Sequence, residues 1–179
     1  MRDLPVRKHP RLKGYDYNQN GAYFITFCVK DRHEILGNVV GRDAPGAPFV
    51  ELSDSGKAVC EEIEKTQECY GGVVIDKYVV MPNHVHIIVF VDRDNGAPGA
   101  ARPTNALIPT IVTIIKRKTN KAVGFAMWQD SYHDHIIHSE DEYQRIWQYI
   151  DENPMNWQKD RYFVEEAPNY TVRSKVNAE

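Results

Sequence analysis

The chain has 179 residues, 42% of them hydrophobic, 26% charged and 11% aromatic, with a formal charge of −3 at neutral pH. That balance suits one folded domain with its own core and excludes both a disordered chain and one coated in basic charge, so any polyanion site has to be local. No apolar run reaches the roughly 18 residues of a membrane span. Cys28, Cys60 and Cys69 form no CxxC pair and leave one over in any disulfide scheme. A soluble, cytoplasmic protein with buried thiols is expected, rather than a zinc finger or a disulfide scaffold.

Residues 1–20 read as a basic arm that carries Arg11, Lys13 and Tyr15, residues 21–165 as the domain, and residues 166–179 as a polar tail. The aromatic and β-branched run 22–29 predicts a central strand. Segments 41–48 and 95–103 share Ala-Pro-Gly-Ala and are dense in proline and glycine, so both are expected to be loops. A helix is predicted over 55–70, with Ser53, Asp54 or Ser55 as its cap, Val59, Ile63 and Tyr70 on one stripe, and Gly71-Gly72 as its stop. The β-rich runs 73–81 and 84–91 around Pro82-Asn83 predict a hairpin. Leu107, Ile108, Ile111, Val112 and Ile115 recur at helical spacing, and that helix ends in Lys116, Arg117, Lys118 and Lys121. Residues 133–138 read as a fourth strand.

Ser139 and Glu142 match a capping box, followed by Tyr143, Ile146, Trp147 and Ile150 on a stripe expected to face the core. Asn153-Pro154 interrupts the pattern, and a short last helix is predicted over 154–162. The order β-α-β-β-α-β-α points to an α+β fold of ferredoxin-like or RRM-like type, an antiparallel sheet with helices mainly on one face.

Period two along residues 84–91 puts His84 and His86 on one face of a strand and Val85, Ile87, Val89 and Val91 on the other. The apolar face should meet the helices, and two imidazoles side by side can bind one ion. A bare HxH is common by chance, so two half-exposed strand histidines remain the plainer alternative. On the last long helix Tyr149 and Asn153 ride the same flank, one turn apart, where a phenol and a ligand could face that ion. Asn153 read alone is a helix cap, with Pro154 well suited to the next position. A metal that polarises a phosphodiester would let a tyrosine attack it, and the resulting phosphotyrosyl ester keeps the bond energy for a later strand transfer.

His133 and His135 would share a strand face as phosphate or supporting contacts. Trp128 and Tyr132 could stack unpaired bases, and Lys116, Arg117, Lys118 and Lys121, with the N-terminal arm, are the candidates for tracking phosphates.

Five stretches together carry a resemblance over nearly the whole chain. They are Leu12 to Tyr17 before residues 21–27, Tyr78 to Ile87, Trp128-Gln129, Tyr132 to Ile137, and Tyr143 to Pro154. In this order and spacing the chain resembles the HUH single-strand nucleases, and within them the REP-associated tyrosine transposases. The resemblance implies that His84 and His86 are metal ligands, that Asn153 completes the ion site and that Tyr149 is the nucleophile. It further implies magnesium or manganese as the ion, and cleavage of single-stranded or hairpin DNA of repetitive extragenic palindromes to a 5′-phosphotyrosine and a free 3′-hydroxyl. The sequence leaves monomer and homodimer both open. The rival readings are an RRM-like module that binds single strands without chemistry, and a phosphodiesterase that uses water.

Overall fold

A computed structural model describes residues 19–41, 46–92 and 107–165. Its elements are β1 (Gly21–Cys28), β2 (Gly37–Val40), β3 (Phe49–Leu52), α1 (Asp54–Cys69), β4 (Val73–Met81), β5 (His84–Val91), α2 (Leu107–Val123), β6 (His133–Ile137) and α3 (Glu140–Asp151). Strands β4, β5, β1 and β6 form one antiparallel sheet in that order. With two helical crossovers, this is the ferredoxin-like α+β arrangement expected from the sequence. Residues 1–18 of the N-terminal arm, the tail, the 95–103 loop and residues 42–45 of the 41–48 loop lie outside the described residues.

The ribbon β2–β3 was not expected. It pairs Val39 with Val50 across the 41–48 segment, and its strands of four residues are too short to print a period of two. Helix α1 begins where Ser53 accepts from the Gly56 amide at 3.1 Å and donates to the Ile35 carbonyl at 2.7 Å. The helix start then lies so close to the preceding loop that a Cβ on Gly56 would sit 2.0 Å from the Leu36 carbonyl oxygen. Only glycine permits that approach.

One face of the sheet presents Tyr23, Ile25 and Phe27 of β1 with Val85, Ile87 and Val89 of β5, all buried against Val59 and Ile63 of α1 and Ile108, Ile111 and Ile115 of α2. Burial of that face supplies the main apolar stabilisation. The opposite face is not left to solvent. Helix α3 packs on β4 and β5 there, while α1 and α2 share the first face, so the helices lie mainly on one face as expected and the third closes the other. Seven of the eight residues of β5 are buried, the imidazoles included, because α3 and the turn after it close over them.

The stripe on α3 is less buried than its periodicity implies. Ile150 is sealed, whereas Tyr143 and Trp147 sit at a boundary. Tyr143 donates to Asp76 at 2.7 Å, and the Lys77 ammonium lies 3.9 Å from the Trp147 ring centroid. Trp147, expected in the core, is therefore a half-buried cation–π partner, because α3 lies against the edge strand β4 and has sheet on one side only. Ser139 caps α3 by accepting from the Glu142 amide at 3.2 Å, while Glu142 reaches back to the amide of His138 instead of that of Ser139. Beyond α3 the predicted helix over 154–162 is replaced by turns and a single 3-10 turn, Trp157–Lys159. Asn153 consequently caps no helix, and its amide is used in a tertiary contact described below.

Candidate active site

In β5 and β1, His86 faces Thr26 and His84 faces Cys28, and residues directly opposite across a sheet share a face. Thr26 also opposes His133 of β6, so His86, Thr26 and His133 form a row across three strands. The Thr26 hydroxyl lies 2.7 Å from His86 Nδ1. His84 Nδ1 lies 2.9 Å from Asn83 Oδ1, and the Asn83 amide nitrogen donates to the carbonyls of Tyr162 at 2.9 Å and Arg32 at 3.3 Å. With the Asn83 amide oriented in this way its oxygen can only accept, so His84 carries its proton on Nδ1 and presents a bare Nε2. That nitrogen sits 3.0 Å from His86 Nε2.

Both rings are buried, at 0% and 1% exposure. Burial, with the guanidinium groups of Arg32 and Arg161 nearby, pushes His84 down to about 3, and burial followed by the neighbouring His84 holds His86 well below the ordinary histidine range. The imidazoles are therefore neutral, the form that donates to a metal. Two imidazole nitrogens 3.0 Å apart are close enough for both to reach one ion. Oxygen donors stand beside them. Asp160 offers a carboxylate oxygen that lies, with the two imidazole nitrogens, within a 4.8 Å cluster. Asn153 is 1% exposed, and its Oδ1 is a buried acceptor with no hydrogen-bond partner, the kind of orphan a cation satisfies. This donor set fits a divalent ion.

Tyr149 projects from α3 onto the same spot. Its hydroxyl donates to Asp160 Oδ2 at 2.6 Å and lies 3.3 Å from His86 Nε2. Asn153 donates to the same Asp160 oxygen at 2.9 Å, and the other carboxylate oxygen accepts from the Tyr162 amide at 2.6 Å. The Tyr149 ring stands edge-on to Phe24 at 6.3 Å, yet the residue stays 39% exposed. Burial of its hydroxyl, then the hydrogen bond to Asp160 and its negative charge, raise the phenol above the ordinary tyrosine range, while the Asn153 amide pulls the other way. The phenol is thus protonated at rest and close to an acceptor.

Thr26 fixes the orientation of His86, as partners behind metal ligands do. Thr26→Val keeps the shape and removes the hydroxyl. A 10–100-fold loss of manganese affinity is expected by calorimetry, on the scale of about 10–100-fold for such partners.

The other residues singled out in the sequence divide sharply. His133 and His135 are exposed on the site face of β6, as expected, with His135 2.7 Å from Glu142. Trp128 is buried in the core instead, edge-on to Phe27 at 4.8 Å and donating to Thr119 at 2.7 Å, so it offers no face to a base. Tyr132 is half-buried against the same core. Lys116 is turned inward and donates to the carbonyls of Gln129 and Ser131, each at 2.8 Å. Burial lowers it to about 8. Its ammonium ties down the 129–131 loop. Lys118 pairs with Glu62 at 3.4 Å, and Arg117 and Lys121 are exposed on α2, which packs on the face of the sheet away from the histidines. Arg11, Lys13 and Tyr15 lie outside the described residues.

Sequence reading missed Asp160, Asn83 and Thr26. Asn83 stands next to His84, and Thr26 keeps the alternation of β1, so register could have flagged both. Asp160 sits in a turn without any periodic pattern.

No family model matches the sequence. The sheet, its helices and their order match the fold of a solved tyrosine transposase. The structure of a REP-associated tyrosine transposase bound to a REP hairpin matches with a TM-score of 0.59 at 19% identity, over 82% of this chain and 73% of that one. A Deinococcus radiodurans R1 protein, provisionally assigned as a transposase, corresponds more loosely, at 0.44 and 21% identity over 79% of this chain and 96% of its own. In sequence, an uncharacterized protein of Haemophilus influenzae is 32% identical over 176 residues, 89% of this chain and 94% of that protein. The chain belongs to the same family as the Haemophilus protein. Among the described residues no helix is long and apolar enough to cross a membrane.

Proposed function

We propose that this protein is a metal-dependent endonuclease and strand transferase, a transposase, that acts on single-stranded or hairpin DNA through Tyr149. The observation that carries the reading is the placement of the phenolic oxygen of a partly exposed tyrosine 3.3 Å from one of two facing imidazole nitrogens, beside the unsatisfied Oδ1 of Asn153. His84, His86 and Asn153 would hold magnesium or manganese, with Asp160 as a further oxygen donor. When bound, the ion withdraws charge from the scissile phosphate and stabilises the pentavalent transition state.

The protein's own groups do the rest. Tyr149 attacks phosphorus, its O–H proton passes to Asp160 Oδ2, the P–O3′ bond breaks, and the 3′-oxygen leaves and takes a proton from solvent water. The products are a 5′-phosphotyrosine and a 3′-hydroxyl. The fold of a transposase solved with a REP hairpin supports hairpin DNA of extragenic palindromes as the substrate to try first.

Incubation with such a hairpin carrying single-stranded flanks, followed by a denaturing gel, tests the reading. A protein–DNA band resistant to denaturant is expected in magnesium or manganese and not in chelator. Cleavage without that band, or binding without cleavage, overturns it.

A further inference from the structure

Beside Tyr149 opens a cleft of about 780 Å³, lined by Phe24, Arg32, His133, His135, Arg145 and Arg161 among others. It is continuous with the imidazole pair, because Thr26 and Tyr162 line it too and each touches a histidine. Its floor is Phe24, a half-buried ring 5.1 Å from that of His86.

The charges along its wall are arranged rather than scattered. Arg32 and Arg161 both lie over the Tyr162 ring, at 4.7 and 4.6 Å, and Arg32 also donates to the Arg161 carbonyl at 2.9 Å. Arg32 is delivered by two successive non-glycine residues in left-handed conformation, Asp31 at φ 51° and Arg32 at φ 56°. Such a backbone is strained for residues with a Cβ and persists where the surroundings hold it. Arg145, one turn before Tyr149 on α3, is exposed and has no carboxylate partner among the described residues. The one carboxylate beside it in sequence that lines the cleft, Glu142, is already engaged by His135 and the His138 amide. Three guanidinium groups over an aromatic floor match the two needs of a single strand, phosphate pairing and base stacking.

Resting on the nuclease reading for the identity of the strand, we propose that this cleft seats single-stranded DNA next to the scissile phosphate, with Arg145, Arg161 and Arg32 on its phosphates and a base against Phe24. The seat replaces the Lys116 to Lys121 patch as the phosphate track. Because it is built for an unpaired base, it favours a single strand over a duplex.

Fluorescence anisotropy in chelator, with a labelled single strand of mixed sequence and the corresponding duplex, tests this without chemistry. Arg145→Gln is expected to weaken single-strand binding severalfold and to reduce the slope of log affinity against log salt by about 0.7, the share of one phosphate on a single strand. Lys57→Gln, an exposed residue of α1, is expected to leave both unchanged. Arg145→Gln and Arg145→Glu both binding as the wild type does, or duplex binding with the same dependence on Arg145, would overturn the seat. Loss of the covalent band alone, with Arg145-dependent binding intact, would count against the nuclease reading and not against the seat.

Discussion

Replacing Tyr149 by phenylalanine leaves a folded protein that forms no covalent product with hairpin DNA in magnesium. The ring contacts that seat this residue, to His86 at 5.2 Å and to Phe24, do not use the hydroxyl. Only the attacking oxygen is removed. The rate of adduct formation is expected to fall by more than 10³-fold, equivalent to about 4 kcal/mol of barrier at about 1.4 kcal/mol per tenfold. A denaturing gel reads this directly, and thermal unfolding checks the fold. Adduct formation persisting in Tyr149→Phe would assign the nucleophile elsewhere. Asp160→Asn separates proton acceptance from positioning. The carboxylate raises the phenol, so its loss should bring the Tyr149 titration down in a spectroscopic pH series while slowing adduct formation by about 10²-fold, the scale of general-base contributions. If the lower phenol value were accompanied by a faster reaction, Asp160 would act as a brake.

Much of this arrangement is legible in the residues. The alternation of His84 and His86 against Val85, Ile87 and Val89 specifies which face carries imidazoles, since a strand leaves no other choice once the apolar face is buried. Ser139 and Glu142 fix where α3 starts, and with it the rotation that puts Tyr149 and Asn153 on one flank. What pattern cannot report is tertiary competition for a side chain. Lys116 has the spacing of a solvated helix end, yet three carbonyls of the 129–131 loop lie within reach of its ammonium. Trp128 has the chemistry of a stacking platform and fills the core beneath Phe27. Asn153-Pro154 has the signature of a helix start, but Asp160 takes the Asn153 amide and the chain turns instead. Asp160 itself obeys no period, because its place is set by the turn that brings Tyr162 over His84.

The same enclosure of the imidazoles makes folding sensitive to acid. In the unfolded chain each histidine takes up a proton near about 6.5, whereas folded His84 does so only near about 3 and His86 is also held far below. Between those values the unfolded state binds more protons, so stability is present above about 6.5 and is lost as pH falls. His84 contributes a slope of about 1.4 kcal/mol per pH unit in that window and His86 adds to it in the same direction, against total stabilities of about 5–15 kcal/mol for domains. Urea unfolding in chelator at a series of pH values would measure it. The double variant His84→Asn, His86→Asn keeps the other five histidines, His9, His33, His133, His135 and His138, so its slope subtracts whatever they contribute. The wild type should lose stability between about pH 6.5 and 5 more steeply than the variant. Equal slopes would mean that the pair takes up protons in the folded state, which contradicts neutral, metal-ready nitrogens. Added manganese should restore stability, by about 2.7 kcal/mol at a hundred times its dissociation constant, because the ion binds the folded pair and competes with the same protons.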